Sequence, residues 1–73
     1  MTRVAGVCLW KGDECVDLYS DYGDVNVYVD FENKSVIIRN RVHNKFTDKD
    51  EDGVVREWHN LTMYDSAIIV NEA

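Results

Sequence analysis

The chain reads as an all-β, mainly antiparallel fold, a single small domain over residues 1–73 built as a meander or small barrel of five or six strands. Three observations predict this. Apolar and polar residues alternate over long runs, turn-forming Gly and Asn separate the runs, and a helical period competes only within residues 54–64. The composition agrees: 45% of the residues are hydrophobic and none is Pro, so no stiff linker or low-complexity segment interrupts the elements. A chain this short buries only about 60% of the surface its unfolded form exposes, so its core is thin.

The first two strands are the apolar runs 4–10 and 15–19, with Lys11-Gly12 as a two-residue turn in which Gly supplies positive φ. This turn sets Val7 against Val16 and Ala5 against Leu18 on one face. On the other it sets Trp10 against Asp13 and Cys8 against Cys15. The next hairpin has the clearest pattern. Val25, Val27, Val29 and Phe31 alternate with Asn26, Tyr28, Asp30 and Glu32, and residues 36–46 alternate in turn. A turn at Asn33-Lys34 pairs Phe31 with Val36, Val29 with Ile38, Val27 with Asn40 and Val25 with Val42. The opposite face then matches Tyr28 with Arg39, Asn26 with Arg41 and Asp24 with His43. Residues 20–24 form the turn that joins the two hairpins into a four-stranded meander. Residues 47–53 read as a loop. Residues 54–64 fit a strand better than a short helix, because Val54 and Val55 lead the segment, and residues 66–70 close the fold as a buried strand.

The two cysteines face each other across the first hairpin. They fall at a hydrogen-bonded pair, where side chains stand further apart, and no signal-like apolar segment opens the chain. Both points predict reduced thiols in a cytoplasmic protein, the host cytoplasm if its origin is viral. Nothing approaches the roughly 18 consecutive apolar residues of a membrane span.

Asp48, Asp50 and Asp52 followed by Gly53 repay comparison with metal loops. From Asp48, carboxylates fall at positions one, three and five, Gly at six and the apolar Val55 at eight. Over these twelve residues the segment resembles the calcium loop of the EF-hand family, and the resemblance implies weak calcium binding by Asp48, Asp50 and Asp52. It departs at position twelve, where His59 replaces a bidentate Glu. A solvated Asp- and Gly-rich turn accounts for the same residues.

Charge is distributed unevenly. Of the net −6, residues 13–32 contribute seven acids with no Lys or Arg, and residues 34–45 contribute four bases with no acid. Within the acidic stretch, Asp13, Glu14, Asp17, Asp21 and Asp24 mix with Trp10, Tyr19 and Tyr22, a composition suited to a protein partner with a basic surface. The leading expectation is therefore a small regulatory protein that acts by protein–protein interaction, an inhibitor of a basic, nucleic-acid-binding partner, with a viral origin in keeping with its size. A nucleic-acid binder using Tyr28 to stack and Arg39, Arg41 and Lys45 to track phosphates is the alternative, opposed by the acidic excess. No nucleophile elbow, phosphate loop or His-Glu-x-x-His run is present, and the expectation is of no enzyme. Open sheet edges in so small a fold also make a homodimer an expectation.

Overall fold

The computed structural model describes residues 1–71 and is antiparallel β almost throughout. Seven strands form two sheets: β1 (Thr2–Arg3), β2 (Gly6–Lys11), β3 (Glu14–Ser20), β4 (Val25–Asp30), β5 (Ser35–Asn44), β6 (Lys49–Asn60) and β7 (Ser66–Val70). A 3-10 turn, Leu61–Met63, separates the last two. One sheet has the order β1-β4-β5-β6 and the other β3-β2-β7. The expected all-β antiparallel class is what forms, as two separate sheets rather than a closed barrel.

The two sheets face each other across one core. Val4, Val7, Leu9, Val27, Val29, Val36 and Ile38 are each at most 1% exposed. Each such side chain contributes about 1.5–3 kcal/mol relative to an exposed position. All but Val4, which lies between β1 and β2, come from alternate positions of β2, β4 and β5, so the period of two puts them on the inner faces.

The β4–β5 hairpin keeps its predicted faces but slips by two residues. Val29 pairs with Val36, Val27 with Ile38 and Val25 with Asn40. The turn occupies residues 31–34, because the Asp30 carboxylate accepts from the Asn33 backbone and side chain and Lys34 adopts φ 50°. Phe31, expected in the apolar ladder, is therefore left 57% exposed in the turn.

The β2–β3 hairpin differs more. Gly12, at φ 58°, and Asp13 form the turn, so Lys11 pairs with Glu14 and Trp10 with Cys15. A bulge then shifts the register, and Leu9 pairs with Asp17, Cys8 with Leu18 and Val7 with Tyr19. One extra residue exchanges the two faces of a strand. Asp17 and Tyr19 turn inward, while Leu18, expected on the buried face, is 71% exposed. Cys8 and Cys15 are no longer opposite but diagonal, with Cα atoms 6.3 Å apart, and they are joined in a disulfide. This overturns the expectation of free thiols, which rested on the unbulged register and on the lack of a signal-like segment.

Two further expectations are corrected. β3 and β4 lie in different sheets, so the chain crosses the core between them and the four-stranded meander does not form. Residues 49–60 are one long strand, which absorbs most of the expected loop and settles residues 54–60 as strand, not helix. Its register with β5 breaks twice, around Arg39. Gly53 belongs at this irregularity: a Cβ there would stand 2.8 Å from Val42 Cγ2 and 3.1 Å from the Asn40 carbonyl. Beyond Asn40, β5 has no β4 residue beside it, and the β5–β6 hairpin runs on as an arm. The molecule accordingly measures 46 × 21 × 20 Å, with Phe46 fully exposed in the turn of the arm.

Candidate functional site

The outward face of the four-stranded sheet carries the most distinctive surface. Since Val27, Val29, Val36 and Ile38 point inward, their neighbours Tyr28 and Ile37 point outward. Trp58 joins them, because Glu57 and His59 on either side of it turn inward to Tyr19. Register then aligns one residue from each strand: Arg3 pairs with Tyr28, Tyr28 with Ile37, and Ile37 with Trp58. The adjacent row is Asn26, Arg39 and Val55. Trp58 is 57% exposed.

A hydrogen-bonded network braces this face. Asn26, 4% exposed, is its hub. Its Oδ1 accepts from Arg41 Nε at 2.6 Å and Arg3 Nη2 at 3.0 Å, and its Nδ2 donates to Asp52 Oδ1 at 2.7 Å. The Tyr28 hydroxyl donates to the same carboxylate at 2.8 Å. Burial raises the Tyr28 pKa, and the hydrogen bond to Asp52 raises it further. Burial opposes ionisation of Asp52, but the bonds from Asn26 and Tyr28 outweigh it and hold the carboxyl below its ordinary value. Arg41 also donates to the carbonyls of Gly23 and Val25, and Arg39 to that of Gly53. These guanidinium groups therefore anchor backbone as well as side chains.

The residues expected to form the acidic partner-binding patch are dispersed. Asp21 lies inside, its side chain 5% exposed, accepting from the Val27 N–H at 2.8 Å and from Arg3 Nε at 2.9 Å. Asp17 and Tyr19 belong to a polar link between the sheets. The Tyr64 hydroxyl donates to Asp17, the Tyr19 hydroxyl donates to Glu57, and His59 lies between the two tyrosines, 3.0 Å from Tyr64 and 2.7 Å from Tyr19. Burial, then the bond to Glu57, drives the Tyr19 pKa far above the ordinary phenol value. Asp24 is exposed and paired with Arg56 at 3.0 Å. Trp10 sits on the other sheet, opposite Cys15 and Ser66. Asp13, Glu14 and Tyr22 remain exposed, Tyr22 at 84%.

Of the alternative set, Tyr28, Arg39 and Arg41 share the outward face, whereas Lys45 lies in the turn of the arm. The three loop aspartates do not converge. Asp48 and Asp50 both contact His43, at 3.1 and 3.0 Å, while Asp52 bonds Asn26 and Tyr28. Among the described residues, no group of three or more His, Cys, Asp or Glu side chains is placed to hold a metal ion.

Sequence reading missed Arg3, Ile37 and Trp58 as a set. A signal for Trp58 was present in Glu57-Trp58-His59, where one aromatic stands between two polar residues at strand spacing. Arg3 carried none, because a two-residue strand has no period to read. No protein-family model, curated protein or solved structure matches the chain.

Proposed function

We propose that this chain is a binding protein that acts by protein–protein interaction, meeting a partner of basic surface with the Arg3–Tyr28–Ile37–Trp58 face. The observation that carries the reading is Trp58, 57% exposed on a paired strand beside Ile37 and next but one to Tyr28. Trp, Tyr and Arg are the residues that dominate interface hot spots. All are held on a sheet, and Arg3 and Tyr28 are further braced by the Asn26–Asp52 network, so they lose little freedom on binding. Arg3 and Arg39 already bond within the chain, so on this face they add packing stems more than new ion pairs.

The sign of the partner follows from the whole molecule. A net charge of −6 attracts a basic surface at long range and sets the rate of encounter. The exposed Asp13, Glu14, Asp48 and Asp50 contribute to that field without touching the contact face. Where the basic surface is one that holds nucleic acid, occupying it makes the chain an inhibitor. No helix among the described residues is long and apolar enough to cross a membrane.

A photo-crosslinking residue at position 58, with a second at position 18 on the other sheet, tests the reading. The expected outcome is a crosslink from position 58 alone to a basic protein, with capture lost in Trp58→Ala and slowed by salt. Capture indifferent to Trp58→Ala would overturn it, and so would quenching of Trp58 fluorescence by oligo(dT) at physiological salt, which would point to nucleic acid instead.

A further inference from the structure

The two sheets present four edges, and they are not equally protected. β1 is only two residues long, too short to template another strand. β6 is long, but its sequence carries Lys49, Asp50, Glu51, Asp52, Arg56 and Glu57, and its register is broken by bulges. β3 carries Glu14 and Asp17, and the bulge after Cys15 bends it. Short length, charge and bulges are the devices that keep sheet edges from pairing. β7 has none of them. Its residues Ser66, Ala67, Ile68, Ile69 and Val70 include no charge, in a chain in which 30% of residues are charged, and its ladder with β2 runs unbroken from Ser66 to Val70.

We propose that two copies of the chain pair edge to edge through β7, antiparallel about a two-fold axis at Ile68, making one continuous six-stranded sheet. This interface is independent of the Trp58 face, which lies on the other sheet. The strand is self-complementary in that register. On the outward face Ile68 meets its own symmetry mate and Val70 meets Ser66 of the second copy. On the inward face Ala67 meets Ile69, a small residue against a large one. Ile69 packs on the core of its own copy, which fixes the strand's orientation before pairing. Ile68 and Val70, each 55% exposed, line an open apolar groove of about 240 Å³ together with Leu18, Cys8 and Gly6. Pairing brings the groove walls of the two copies side by side and covers apolar surface that a monomer leaves in water. β7 itself carries no charged side chain, so the paired strands set no like charges against each other.

The full chain is followed by sedimentation equilibrium from low to high micromolar concentration, at moderate salt. The expected mass rises to twice that of the monomer. Ile68→Lys, which puts an edge-blocking charge at the axis, is expected to stay monomeric, while Leu18→Lys, in the groove but away from the edge, and Trp58→Ala both dimerise as the parent does. A mutation-free measurement accompanies them: amide exchange in residues 66–70 slows as concentration rises, and exchange in residues 49–60 does not change. A parent chain that stays monomeric at hundreds of micromolar overturns the proposal. So does a dimer that survives Ile68→Lys with β7 exchange unchanged, or one dissolved by Leu18→Lys or by Trp58→Ala.

Discussion

Asp21 offers the sharpest test of the structure, because the sequence assigns it to a surface patch and the fold places it inside. Its side chain is 5% exposed and accepts from the Val27 N–H and from Arg3, with Arg41 at 3.8 Å. Asp21→Ala removes the acceptor from a backbone donor beside fully buried Val27, which costs about 1–3 kcal/mol for a buried group left unpaired. Arg3 is 42% exposed and can turn to water, so losing its pair adds only about 0–1 kcal/mol. The expected cost is about 2 kcal/mol, against a total stability of about 4–11 kcal/mol for a chain of this length. In a thermal melt that is a fall of about 8–16 °C in midpoint. Asp21→Asn keeps an oxygen for the Val27 N–H and loses only the charge, so it should cost clearly less than Asp21→Ala. Urea unfolding of the two variants, with Arg3→Met completing a double-mutant cycle, separates the contributions. If Asp21→Ala unfolds at the parent's midpoint, the internal placement is wrong. If Asp21→Asn costs as much as Asp21→Ala, the ion pair rather than the backbone acceptor is what matters, and the reasoning fails there.

Three further predictions concern other parts of the fold. The hydrogen bond that the His43 ring donates to Asp50, with a second to Asp48, raises the His43 pKa; its contribution to stability is therefore fully present below the ordinary value of about 6.5 and is lost as pH rises through the folded value. An NMR titration of the ring should show the shift, and Asp50→Asn should remove most of it. Cys8 and Cys15 close a loop across a separation of 7 residues, for which a bridge contributes about 2.5 kcal/mol by the chain-entropy relation; native protein should take up no iodoacetamide until it is reduced, and the reduced form should melt lower. Gly53→Ala should destabilise by about 1–3 kcal/mol through overpacking of its new Cβ against Val42 and the Asn40 carbonyl, whereas Gly12→Ala meets no neighbour and is costly only through its positive φ.

The β4–β5 faces were legible because five inward positions in two strands are β-branched and regularly alternating, and a slip of two residues keeps the paired residues 25–30 and 35–40 on their predicted faces while it drops Phe31 into the turn and Val42 onto the arm. The outward row could be read in part for the same reason: Tyr28 and Arg39 were identified there from alternation alone. Residues 49–60 were harder. Their strand is specified by pairing with β5, not by local propensity, since Asp50, Glu51, Asp52 and Gly53 all disfavour strands. Tertiary pairing overrides that preference, and with it the likeness to a calcium loop disappears, because an extended strand sends Asp50 and Asp52 to different hydrogen-bonding partners.

The bulge after Cys15 accounts for most of what sequence alone misplaced, and it links features that look unrelated. A regular hairpin would send Val16 and Leu18 to the core and Asp17 and Tyr19 to solvent. The extra residue reverses that choice from Asp17 onward. Two polar side chains are thereby committed to the interior, and each finds partners across the gap: Asp17 accepts from Tyr64, while Tyr19 meets Glu57 and His59 of β6. The edge strands β3 and β6 of the two sheets are tied together as a result. Leu18, displaced outward, becomes a wall of the apolar groove beside β7. One register shift thus exchanges a simple apolar contact for a polar link within the molecule and an apolar surface outside it. Polar groups turned inward must be paired, which specifies how the sheets dock. Apolar groups turned outward stay in water unless another molecule covers them, so the feature that best fixes the internal architecture also leaves Leu18 as an open apolar wall on the outer face of the three-stranded sheet.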